Sequence, residues 1–112
     1  MDAPQAVKAL AALAQSSRLA VFRALVTAGR GGRTPTDLAA SLALTAPALS
    51  FHLKELLHAG LITQEREGRH LIYRAELAQM NALLAYLTEH CCEGESCAEV
   101  ADFQCKTCDP LE

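Results

Sequence analysis

Hydrophobic positions along the chain change period twice, and the changes mark out its elements. Leu49, Leu53, Leu56 and Leu57 recur at offsets of four, seven and eight, one apolar stripe of an amphipathic helix. Thr45 is a good N-cap, and Pro47 is tolerated only in a helix's first turn, so the helix starts near residue 45. Gly60 ends it as a C-terminal cap. From Ile62 the chain reads ITQERE, Gly68, then RHLIYR, two short strands of β-branched and aromatic residues around a glycine turn.

Upstream, residues 4–14 form a short helix opened by Pro4, with an apolar face of Val7, Leu10, Ala11, Leu13 and Ala14. Ser16 or Ser17 caps a second helix running to about Thr27, whose inward set is Leu19, Phe22, Leu25 and Val26, with Val21 at the margin. Gly29, Gly31 and Gly32 break the chain there. With no strand before them and no GK[ST] after, they read as an interhelix loop rather than a phosphate cradle. Residues 34–42 give a short helix with Pro35 in its first turn and Leu38 and Leu42 inward. After the strands, Glu76 sits in the first turn of a last helix, with Leu77, Met80, Leu84 and Leu87 on one face. The fold predicted is mainly α with a β-hairpin: a winged helix-turn-helix, dimerising through its N- and C-terminal helices.

Charge sharpens this picture. The net charge of −3 argues at first against a nucleic-acid partner, but its distribution does not. Residues 1–90 hold nine Lys and Arg against seven Asp and Glu; residues 91–112 hold one Lys against six carboxylates. A DNA-binding and dimerisation domain is therefore expected over 1–90, followed by a cysteine-rich acidic tail over 91–112. So few cations call for a dimer to collect enough phosphate contacts. The residues expected to face double-stranded DNA are Thr45, Pro47, Ser50, His52 and Lys54 on the helix, and Arg66, Arg69 and His70 on the hairpin. No run is apolar and long enough to span a bilayer and the N-terminus lacks a secretory pattern, so a cytoplasmic protein without membrane contact is expected.

The string LSFHLKELLHAGLIT, followed by EGRHLIY, closely resembles the recognition helix and wing of the ArsR/SmtB family of metal-responsive bacterial repressors. AYLTEHCC resembles the end of the last helix in its arsenic-responsive members, and the whole resemblance covers about residues 4–92. It implies a homodimeric repressor that leaves its operator DNA when a thiophilic ion binds, and a DNA-facing position for His52. One departure matters. Many arsenic-responsive members carry Cys-x-Cys at the start of the helix before the recognition helix, where this chain has Thr34, Pro35 and Thr36. Glu76, Glu89 and His90 match only fragments of the family's carboxylate–histidine site on the last helix.

Sensing is therefore expected in the tail. All five cysteines lie in its 22 residues, as Cys91, Cys92, Cys97, Cys105 and Cys108. Reduced cytosolic thiols are soft ligands that select soft ions. Arsenite or antimonite suits three sulfurs in a pyramid, and Cys91, Cys92 and Cys97 are the first-choice triad, with Gly94 easing the turn between them. Cys105 and Cys108 form a secondary C-x-x-C pair with familiar zinc-ligand spacing, and sensing of cadmium, lead or zinc is the second alternative. Thiol redox sensing and incidental thiols are the remaining alternatives.

Two other function classes compete with a sensor. A reductase using Cys105 and Cys108 would normally place that pair beside a βαβ unit, and no nucleotide loop or catalytic carboxylate pair is present, so no enzyme is expected. A constitutive DNA-binding module with an inert tail differs from a sensor only in lacking ligand-dependent release.

Overall fold

The computed structural model describes residues 1–89. Its elements run α1 (Ala3–Leu13), α2 (Ser16–Ala28), a 3-10 turn (Gly29–Gly31), α3 (Pro35–Leu42), α4 (Ala46–His58), β1 (Ile62–Glu67), β2 (His70–Ala75) and α5 (Leu77–Leu87). The expected tail, with its five cysteines, and His90 lie outside the described residues.

Side chains set the helix starts. Asp2 and Gln5 cap α1 reciprocally, each backbone N–H donating to the other's side chain at 2.9 Å. Thr34 accepts from the Asp37 N–H to open α3, and Thr45 accepts from Ala48 to open α4. At α2 the cap is Gln15 instead of a serine: its backbone is extended, and its amide oxygen accepts from the Arg18 N–H at 2.7 Å. Ser16 and Ser17 are already inside the helix.

α2 lies at the centre and packs against α1, α3, α4 and β2. Its buried set is Val21, Phe22 and Leu25, while Leu19 and Val26 are exposed, so the inward face is rotated from the one the sequence predicts. Leu38 from α3, Leu49, Leu53 and Leu56 from α4, then Leu61, Ile62 and Tyr73 complete the core. α1 contributes only alanines, Ala6, Ala9 and Ala12, and α5 contributes Leu83. Removing a buried leucine such as Leu56 costs about 2–5 kcal/mol.

The glycine loop does more than connect. Arg33 pairs with Tyr73 by two backbone hydrogen bonds of 3.0 and 2.8 Å, adding a short third rung to the hairpin. Gly32 makes that approach possible. Its φ is +68°, and a Cβ there would stand 2.6 Å from the Tyr73 carbonyl oxygen and from the Ile72 side chain.

In the hairpin Glu67 pairs with His70 across a two-residue turn, with Gly68 at φ +64°. Alternation then sorts the strands' side chains. Ile62, Gln64, Arg66, Leu71 and Tyr73 share the face that turns to the core, and Glu65, Glu67, His70, Ile72 and Arg74 share the other.

Candidate nucleic-acid interface

α3 and α4 are joined by a tight turn. Ala43 takes a left-handed backbone at φ 55°, and the Leu44 N–H closes back on the Ala39 carbonyl at 3.1 Å. This fixes α4 across α3, with Leu38, Leu49 and Leu53 buried in the shared core. A cavity of about 660 Å³ lies between the two helices and β2, lined in part by Pro35, Ala39, Leu49, Ser50 and Tyr73.

Burial of one α4 stripe leaves the opposite one outward. Pro47, Phe51, Lys54 and His58 follow at intervals of four, three and four residues, and all are exposed. Thr45 and Ser50 are exposed beside them. Of the helix residues expected to face DNA, Thr45, Pro47, Ser50 and Lys54 are thus on the surface.

His52 is a correction. It is 8% exposed and turned inward, because positions 49, 52, 53 and 56 fall on the same side of the helix. Its Nδ1 is buried and finds no hydrogen-bond partner among the described residues. Burial, and then the nearby Arg18 charge, lowers its pKa from the ordinary value of 6.5, which favours the neutral ring in this packed position. Phe51, which the sequence pattern does not single out, occupies the outward position instead, 55% exposed. Its ring meets His52 edge-on, with centroids 5.8 Å apart, and the Arg18 guanidinium lies 5.9 Å from its centroid.

On the hairpin, Arg66, Arg69 and His70 are all exposed. The hairpin's carboxylates are tied up on the other face. Arg74 donates to Glu65 at 2.7 Å and to Glu67 at 3.0 Å, and its Nε donates to the Arg30 carbonyl at 2.7 Å. Exposed ion pairs add little to stability, but this one sets the local field. Among the described residues it leaves Arg66 and Arg69, at the strand end and turn, without an ion-pair partner.

Among the described residues no cluster of three or more His, Cys, Asp or Glu could hold a metal ion. Glu76 and Glu89 flank opposite ends of α5, thirteen residues and about 20 Å apart at helical rise, so they do not meet within one chain. Thr34, at the start of the helix before α4, is not a thiol and is spent capping α3. No single described helix is long and apolar enough to cross a membrane.

A short helix, a tight turn, a second helix with an exposed polar face and a basic two-stranded wing define a winged helix-turn-helix regulator. Comparison with known proteins narrows the class. Residues 13–65 match the family described as "Helix-turn-helix domain". The arsenical resistance operon repressor of Bacillus subtilis is 37% identical over 92 residues, 77% of this chain and 84% of that protein. Among solved structures, an ArsR-like transcriptional regulator from Rhodococcus sp. RHA1 superposes with a TM-score of 0.69 at 29% identity, over 78% of each chain. A homodimeric winged helix-turn-helix DNA-binding domain from Mycobacterium bovis gives 0.62 at 25% identity, over 84% of this chain and 87% of that one. The chain belongs to the ArsR/SmtB family of winged helix-turn-helix transcription regulators. That family consists of DNA-binding regulators rather than enzymes, which removes the reductase alternative.

Proposed function

We propose that the protein is a homodimeric repressor that binds operator DNA through α4 and the wing and releases it when arsenite or antimonite is captured by the thiolates of Cys91, Cys92 and Cys97. The observation that carries the DNA reading is the alignment of Pro47, Ser50 and Lys54 on one exposed face, with the exposed Arg66, Arg69 and His70 on the wing. Helix groups of this kind meet base edges and phosphates, and wing cations meet the backbone.

Dimerisation is supported by what the single chain leaves uncovered. Val7 and Leu10 on α1, and Leu77 and Leu87 on α5, are 42–64% exposed, and the two helices touch each other. The Mycobacterium bovis domain of the same fold is homodimeric. The arsenite reading rests on five thiols within 22 residues, which begin four residues after α5 ends, and on the Bacillus subtilis relative's role at an arsenical resistance operon. Such thiols stay reduced in the cytoplasm, where the protein is placed by this reading. The C-x-x-C spacing of Cys105 and Cys108 favours a second reading, in which cadmium, lead or zinc is the inducer.

The test is anisotropy of a labelled duplex, selected by the reduced protein from a random pool, titrated with arsenite, cadmium and zinc in parallel. Release by arsenite, abolished in each of Cys91→Ser, Cys92→Ser and Cys97→Ser, is the expected result. By linkage, the duplex must weaken arsenite binding by the same factor. Release only by cadmium or zinc, abolished in Cys105→Ser, selects the second reading, and no release by any ion refutes the sensor.

A further inference from the structure

Among the described residues seven large apolar side chains are exposed: Val7, Leu10, Leu19, Val26, Phe51, Leu77 and Leu87. Six of these lie on α1, α2 and α5. Phe51 stands apart as the only one on α3, α4 or the wing among the described residues. It sits at the middle of the outward stripe, one turn from Pro47 and one from Lys54, with Ser50 beside it. It is also held in place. The Arg18 side chain is anchored by its Nε bond to the Ala12 carbonyl at 2.6 Å, and its guanidinium lies over the ring. His52 contacts the ring edge-on. An aromatic ring steadied by its own domain, yet more than half open, presents a fixed apolar surface among hydrogen-bonding and cationic groups.

The major groove offers such a surface one matching feature, the 5-methyl group of thymine. We propose that Phe51 is a specificity-determining residue that packs on a thymine methyl in the operator and makes this protein prefer thymine at that position in each half-site. The proposal rests on the DNA-binding function above and adds the base that one side chain reads. Ser50 and Lys54 on either side meet polar partners, base edges or phosphate, while Phe51 contributes burial without hydrogen bonding. Burying one methyl is worth about four-fold in affinity, so removing one methyl from each of two half-sites costs about fifteen-fold.

The experiment uses the full-length reduced protein and duplexes it selects from a random pool, each resynthesised with deoxyuridine replacing thymidine one position at a time. Affinities are compared for the wild type, Phe51→Ala and Phe51→Gln, and the thymidine-to-deoxyuridine ratio is read within each variant so that any loss of folding cancels. The expected result is a position where deoxyuridine weakens the wild type about four-fold per half-site and both variants by nothing. If the wild type binds but no deoxyuridine position matters, the Phe51 assignment is overturned while DNA binding stands. A methyl effect that persists in both variants assigns the methyl to another residue and overturns it too. A shift of Phe51→Ala from dimer to monomer in sedimentation would place the ring between copies of the chain, which also overturns it. If the protein selects no duplex, this proposal falls together with the function on which it rests.

Discussion

α4 and α5 are both short helices with an apolar side, and the difference between them matches the two tasks proposed above, DNA binding and dimerisation. α4 sends Leu49, His52, Leu53 and Leu56 into the chain's own core and shows Pro47, Ser50, Phe51 and Lys54 outside. Its stability is settled within one chain, which leaves its outward face free for chemistry. α5 buries only Leu83, half-covers Met80 and Leu84, and leaves Leu77 and Leu87 46% and 53% exposed. Its apolar face is too wide for the core it touches, so a second copy of the chain is the natural cover. A helix that reads must be fixed by its own domain; a helix that joins must stay unsatisfied until the partner arrives.

Substitutions on the two helices and around them should behave differently. Leu56→Ala on α4 is expected to cost about 2–5 kcal/mol in urea unfolding, a loss that does not depend on protein concentration. At the hairpin, Gly32→Ala forces a Cβ into the Tyr73 carbonyl at a left-handed φ and should cost about 2–4 kcal/mol, read in the same assay. Leu87→Ser on α5 follows another pattern. Circular dichroism stays unchanged, sedimentation shifts toward monomer, and the wild type's concentration-dependent melting disappears.

His52 gives a smaller, pH-dependent effect. Its pKa is lowered in the fold, so below about pH 6.5 the unfolded chain takes up this proton more readily than the folded one. The associated stability is present above that pH and lost as pH falls through the folded-state value. His52→Leu removes this acid-side loss, seen as a smaller difference between urea midpoints on either side of pH 6.5. Smallest of all, Ala43→Gly relieves the left-handed backbone ahead of α4 and should raise stability by up to about 1 kcal/mol.

The helix-turn-helix and the wing are legible in the sequence because their signals are local. Thr45, Pro47 and Gly60 bound α4, and Gly68 centres the hairpin, as the spacing predicts. α2 is harder. Its apolar residues are spread around the helix without one clear face, so only its packing against α4 and β2 decides that Val21 is buried and Leu19 is not. At His52 and Phe51, residue type and position point in opposite directions. A histidine suggests DNA and a phenylalanine suggests core, yet the leucine stripe already places 52 inside and 51 outside. The pairing of Arg33 with Tyr73 joins residues forty apart, which no periodicity reveals. Glu76, expected inside the last helix's first turn, is its N-cap and makes no side-chain capping bond. The thiol site proposed from cysteine spacing lies outside the residues the structure describes, so it rests on the sequence alone.

Whether α4 and the wing together hold DNA is decided by the salt dependence of duplex affinity for the wild type, Lys54→Ala and Arg66→Ala. If they do, each variant should bind more weakly. For every phosphate no longer neutralised, the slope of log K against log salt should flatten by about 0.9 per protomer. Unchanged affinity and slope in both variants would show that the exposed face of α4 and the wing tip do not meet DNA, and would contradict the division of labour drawn between α4 and α5.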